Sequence, residues 1–186
     1  MEFEEAVAAP GRKVQTAGKQ VKDGQRWQMI YSLAADGAKK LASRRVPVGD
    51  FDAAVAALSA QGIAVAETDF ESPFVWVRNP DGIEVYDEEH KVLDANGDRA
   101  TLVDGAVVAR SEIARVFTFA SKDYVHRGVK AALQSGKEVD LVAEISMSAM
   151  GDPTYTRNEL LSETVWCSTL AAAIAEWAGT GFENLI

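Results

Sequence analysis

EVDLVAEISM, residues 138–147, alternates apolar and polar side chains along its length. Val139, Leu141, Ala143, Ile145 and Met147 fall on one face, and Glu138, Asp140, Glu144 and Ser146 on the other. A period of two marks a strand with one packed and one wet face, the usual condition of an antiparallel sheet. Ser135-Gly136 directly before it predicts a hairpin with HRGVKAAL. Read further back to residue 91, the chain offers five or six short strands joined by Asn-Gly, Asp-Gly and Ser-Gly turns.

Read forward, the chain closes with a helix. Thr156 and Glu159 stand three apart, as a capping box requires, so hydroxyl and carboxylate can each satisfy a backbone N–H of the other. Trp166, Leu170, Ile174 and Trp177 then form an apolar stripe, and Gly179 supplies the stop. A meander followed by one amphipathic helix predicts a curved antiparallel sheet with that helix covering an open end.

The front half is more mixed. Residues 1–24 read as a short acidic helix and then a polar, partly disordered segment. RWQMIYSLA predicts a half-buried strand with Trp27, Met29, Tyr31 and Leu33 on one face and Gln28 and Ser32 on the other. AKKLASRRVPV returns as a strand or a short helix. GDFDAAVAALSAQG predicts a helix with Asp50 as N-cap, Phe51, Val55 and Leu58 inward, and Gly62 as the stop. IAVAET, FVWVR and IEVYD follow as three short strands, the last two joined by the turn Asn79-Pro80-Asp81-Gly82. The fold class expected is α+β: a small N-terminal β-α-β unit over 25–88, then a β domain with a C-terminal helix over 89–186.

With 186 residues, 47% of them hydrophobic and 25% charged, the chain can bury a true core. No apolar run reaches the length of about 20 residues that a membrane span needs. One cysteine gives no internal disulfide, and acids occupy the N-terminus where a signal peptide carries bases. The setting expected is the cytoplasm. A net charge of −9 opposes general affinity for nucleic acid or anionic lipid. The bases cluster, however: Arg12, Lys13, Lys19, Lys22, Arg26, Lys39, Lys40, Arg44 and Arg45 face only Asp23 and Asp36 between residues 10 and 48. They either pair with the acidic remainder or form an interaction surface for an acidic partner.

Residues 49–87 resemble the second part of a βαβββ module of the vicinal-oxygen-chelate superfamily, which includes glyoxalases. The resemblance rests on the helix with its early Asp, the Gly, two strands, and an NPDG turn into IEVYD. It places Glu84 at the family's metal-ligand position. SRRVPV, however, carries Ser and Arg where that family's first strand offers His or Gln. Glu84 is expected instead to be a solvated or salt-bridged strand residue. Residues 82–178 resemble bacterial pleckstrin-homology-like domains, on the order of strands, the phrase VVARSEIARVFTF and the capped final helix. That resemblance implies a helix plugging one end of a bent sheet, and an interaction surface. The loop YDEEHKVLDANGD is acidic where lipid-binding members are basic, which disfavours phosphoinositides.

Other chemistry finds no support in the pattern. Cys167 sits among Trp166, Leu170 and Ile174 with no neighbouring base, so it reads as a small core hydrophobe. His90 and His126, the only histidines, lie far from each other in sequence. Phosphate loops and serine elbows are absent. No cofactor, metal or catalytic residue is assigned. The function expected is a non-enzymatic protein-interaction or scaffold module with a protein partner, and self-association is compatible with it. The alternative is a small-ligand or metal-dependent protein using Glu84; a further alternative is an acidic toxin-neutralising protein.

Overall fold

The computed structural model describes residues 2–8, 13–23, 25–34, 40–69, 72–88, 90–146 and 156–186, with backbone only at 17–22, 26, 40, 157, 158 and 162. It is a mixed α+β protein. The chain divides into two compact units, Met1–Phe70 with Trp76–Pro80, and Glu71–Val75 with Asp81–Ile186.

In the first unit, helix α1 (Phe3–Ala8) precedes strands β1 (Lys13–Lys22), β2 (Gln25–Leu33) and β3 (Lys40–Pro47). A 3-10 turn (Val48–Asp50), helix α2 (Phe51–Ala60), β4 (Val65–Glu67) and β5 (Phe74–Asn79) follow. The strand order is β3-β2-β1-β4-β5, with β4 parallel to β1 and the other pairs antiparallel. Both helices contribute to the core on one face, where Phe3 and Val7 of α1 and Phe51, Val55 and Leu58 of α2 meet Val14, Ile30, Val46 and Val65.

Three local expectations are corrected here. Lys13–Lys22 is a ten-residue strand rather than a partly disordered segment. Its sequence is a poor strand former, but Val14 and Thr16 are buried, and Val14 and Gln15 pair with strands on both sides. Tertiary pairing overrides propensity. The two faces of β2 are also exchanged: Gln28, Ile30 and Ser32 are buried, while Trp27, Met29 and Tyr31 are half-buried. The helices select the inner face, and the Ser32 hydroxyl donates to the Ala6 carbonyl of α1 at 2.9 Å, which makes a polar residue affordable there. Finally, Asp50 makes no side-chain cap bond, because the preceding 3-10 turn already directs the chain into α2. Phe51, Val55 and Leu58 are inward as their spacing requires, and Gly62 terminates the helix at φ +78°.

In the second unit, β6 (Gly82–Asp87), β7 (His90–Asn96), β8 (Arg99–Leu102) and β9 (Val107–Ala109) form an antiparallel meander. Strands β10 (Ile113–Ala120), β11 (His126–Leu133) and β12 (Glu138–Ile145) follow, then helices α3 (Arg157–Ser162) and α4 (Val165–Ala178), and the two-residue strand β13 (Phe182–Glu183). Their order is β12-β11-β10-β13, with β13 parallel to β10. Helix α4 packs on β10, β11 and β6 through Trp166, Leu170 and Ile174, all fully buried. Trp166 meets Phe74 with ring centroids 5.3 Å apart.

The capping box is present: Thr156 N–H donates to the Glu159 carboxylate at 2.6 Å, and Glu159 N–H donates to the Thr156 hydroxyl at 3.2 Å. The single helix expected is nevertheless two, broken at Glu163-Thr164, where the buried Thr164 hydroxyl donates back to the Leu161 carbonyl at 2.7 Å. Trp177 lies at the margin of the stripe and donates its ring N–H to the Gly97 carbonyl at 3.1 Å.

The hairpin of β11 and β12 forms as expected, but the alternation along β12 does not persist. A register shift falls between Val129↔Val142 and Lys130↔Asp140, so Leu141 is an extra residue. Beyond this bulge the faces exchange: Leu141 and Val142 are both buried, Ile145 is 65% exposed, and Glu144 and Ser146 turn inward. Met147 lies outside the described residues.

Gly82 permits the close approach of β6 to β7, since a Cβ there would stand 1.8 Å from the Ala95 carbonyl oxygen. Gly82→Ala is therefore expected to lower stability by about 2–3 kcal/mol. Gly49→Ala, with nothing within 4 Å, is expected to change it little. Paired urea titrations check this, and equal midpoints would refute it.

Candidate interaction site

The basic residues singled out in the sequence are spread by the strand register. Lys13 and Lys40 flank Leu33 at one end of β1–β3, while Lys19, Lys22 and Arg26 lie toward the β1–β2 hairpin. Arg44 and Arg45, adjacent on β3, project to opposite faces. Arg44 forms an ion pair with Glu4 and lies over the Phe3 ring at 4.4 Å, whereas Arg45 lies 5.8 Å from the Trp27 ring. Arg12 and Lys39 fall outside the described residues.

Glu84 is engaged by its own sheet. The Tyr86 hydroxyl donates to it at 2.6 Å and Lys91 at 3.3 Å, and these bonds, Tyr86 foremost, hold its carboxyl below the usual carboxylate range. His90 pairs across from Asp87, and His126 sits edge-on to Phe119 at 5.0 Å. Among the described residues no three His, Cys, Asp or Glu side chains gather as a metal site would require. Cys167 is buried, and burial pushes its thiol up to about 12, so it stays protonated at neutral pH.

Two features escaped the sequence pattern. The first is ionic and internal. Arg127, with its side chain 3% exposed, lies between Glu144 at 3.2 Å and Glu163 at 3.5 Å. The bulge in β12 turns Glu144 inward, and the break between α3 and α4 places Glu163 beside it. Burial raises the Glu144 carboxyl above its ordinary value, against the opposing pull of Arg127. The cluster is enclosed by the fold and is structural in character.

The second lies at the surface along β10. After α4, Gly179-Thr180-Gly181 leads into a tail that pairs in parallel with β10 at Val116↔Phe182 and Phe117↔Glu183. Beyond that rung the tail bonds through side chains. The Thr118 hydroxyl, in a fully buried residue, donates to Asn184 Oδ1 at 2.8 Å and accepts the Leu185 N–H at 2.8 Å. Arg115 forms an ion pair with Glu183 at 2.7 Å and stacks over Phe117 at 4.7 Å.

The hold is shallow. The Arg115 and Glu183 side chains are 42% and 52% exposed, so solvent screening leaves their pair worth about 0–1 kcal/mol. Phe182 and Leu185 remain 39% and 58% exposed. Ordering an extended segment costs roughly 1–2 kcal/mol per residue, and contacts this open offset little more than that.

The tail ends at a cavity of about 600 Å³ bounded by Leu185 and Ile186, Leu160 of α3, and the loop Ser121–Tyr124. The loop is stiffened from within: Asp123 accepts from the Ser121 hydroxyl at 2.5 Å and the Val125 N–H at 3.2 Å. Tyr124 adopts φ +61°, a left-handed conformation that costs a non-glycine residue about 1–2 kcal/mol. Strain retained beside a cavity at the end of an occupied strand edge distinguishes this region as the candidate site. The signal available in the sequence was Phe182 and Leu185, two large apolar residues placed after the helix stop.

No family model, curated protein or solved structure matches the chain. Among the described residues no helix is long and apolar enough to cross a membrane.

Proposed function

We propose that this chain is a non-enzymatic protein-interaction module whose partner docks along the β10 edge. The observation that carries this reading is that the edge accepts an extended segment, with backbone pairing at Val116 and Phe117 followed by a two-way bond at Thr118. Addition of a strand to a sheet edge is a general mode of peptide recognition: the backbone supplies affinity and side-chain contacts supply specificity. Four meander strands, three antiparallel strands and a final helix also follow in the order of pleckstrin-homology-like domains, which supports that resemblance for the second unit. In the first unit β3, α2 and β4 follow in the order of a small β-α-β unit. Lys13 and Arg45, on the sheet face that does not carry Arg44, offer a second, auxiliary surface for an acidic partner.

Hydrogen exchange on the chain with a co-purified native partner tests the reading. Slowed exchange at residues 113–120 and in the Ser121–Tyr124 loop is expected. A partner whose footprint lies wholly elsewhere would sink it. A second reading is a small ligand seated in the open hollow beside Leu160, Leu185 and Tyr124, whose rim also carries Lys122 and Asp123. Native mass spectrometry showing a retained small molecule would favour that alternative.

A further inference from the structure

We infer that the tail Phe182–Leu185 is a built-in stand-in for the partner, which is an extended peptide segment bearing an aromatic, an acidic residue, an asparagine and an aliphatic residue in succession. This rests on the interaction-module reading and specifies what the β10 edge selects. Each position has a stated counterpart: Phe182 takes the rung opposite Val116, Glu183 meets Arg115, and Asn184 meets the Thr118 hydroxyl.

The tail is built to give way. It pairs with two of the eight residues of β10, whereas β11 pairs with β10 from Ile113 to Ala120. Its one charged contact is half-exposed, and its two large apolar side chains are incompletely covered. It follows two glycines flanking Thr180, the first in the left-handed conformation at φ +71°, so the helix already ends before the tail begins. A short covalent tether gives the tail a high local concentration, so an outside segment must match its chemistry to replace it. Thr118 is a demanding gate. It is buried and both donates and accepts there, so a segment lacking asparagine forfeits a bond that the tail makes.

The test uses the full chain and two labelled synthetic peptides, Gly-Phe-Glu-Asn-Leu-Ile and the same sequence with arginine for glutamate, read by fluorescence anisotropy. In the Glu183→Arg variant the tail is repelled by Arg115 while the groove stays intact. It is expected to bind the glutamate peptide up to ~5-fold tighter than the unaltered chain does, the factor that the loss of about 1 kcal/mol of pairing allows. Adding Arg115→Glu re-forms an opposite-charge pair within the chain and should return binding to the weak starting level. Arg115→Glu alone should reverse the preference toward the arginine peptide. Circular dichroism establishes that each variant is folded. A folded Glu183→Arg variant that binds neither peptide better than the unaltered chain does overturns the inference, as does a double variant that fails to close. If a native partner still protects residues 113–120 in that case, the docking edge stands and only the tail-like chemistry falls.

Discussion

Arg127→Met is expected to destabilise the second unit by about 3–5 kcal/mol at neutral pH, because it strands Glu144 and Glu163 without their shared cation. Removing one partner from a buried ionic group costs far more than the group contributes when complete, since the remaining charges keep their desolvation penalty. The deficit should depend on pH, and the sign follows from Glu144. Burial already raises its carboxyl, and Arg127 is the principal opposing influence, so loss of Arg127 raises it further. An acid whose folded-state value exceeds its unfolded one takes up a proton on folding. Its unfavourable contribution is therefore full above the folded value and fades as pH falls through it. Urea titrations of variant and unaltered chain between about pH 7 and pH 5 should show the difference shrinking on the acid side. A constant difference would refute this account. The triple variant Arg127→Met/Glu144→Leu/Glu163→Leu should recover much of the loss, because apolar groups of similar volume can replace a complete buried ionic cluster.

Trp166→Ala is the second large effect, expected at about 3–5 kcal/mol. The indole is fully buried at the start of α4 and meets Phe74, so truncation removes transfer energy and leaves a cavity that rigid neighbours cannot fill. Leu170 and Ile174 hold the later turns of the helix to the sheet. Amide exchange in α4 and in β10–β11 should therefore accelerate together. A loss under about 1 kcal/mol, or acceleration confined to the first turn of α4, would show that the helix is not anchored there.

What the sequence revealed and what it concealed divide along the range of the interactions. The α2 helix was legible because Phe51, Val55 and Leu58 repeat at its own period, and the α3 cap because Thr156 and Glu159 satisfy each other within one turn. Glu84 was legible as a paired strand residue, for Tyr86 and Lys91 lie within seven residues of it. The inward face of β2 was not. Its two faces are both partly apolar, and the choice rests on Ala6, which is distant in sequence and supplies the acceptor for Ser32. The ionic cluster was hidden because one bulged residue exchanges the faces of β12 where the alternation looked cleanest. The β10 edge was hidden because FENLI is too short for any period, and its meaning lies in Arg115 and Thr118, more than sixty residues earlier.

The extra residue in β12 makes the assignment of inside and outside for its last residues depend on where the ladder skips a rung. If Leu141 instead took the rung opposite Val129, with no bulge, the following segment would slide by one place, carrying Ile145 toward the interior and Glu144 into water, and exchanging an ion-bearing interior for a hydrocarbon one. Arg127 would then be left as the orphan. The guanidinium of residue 127 and the bulge therefore select the same register, and a chain without that charge would lose the penalty that keeps Ile145 outside.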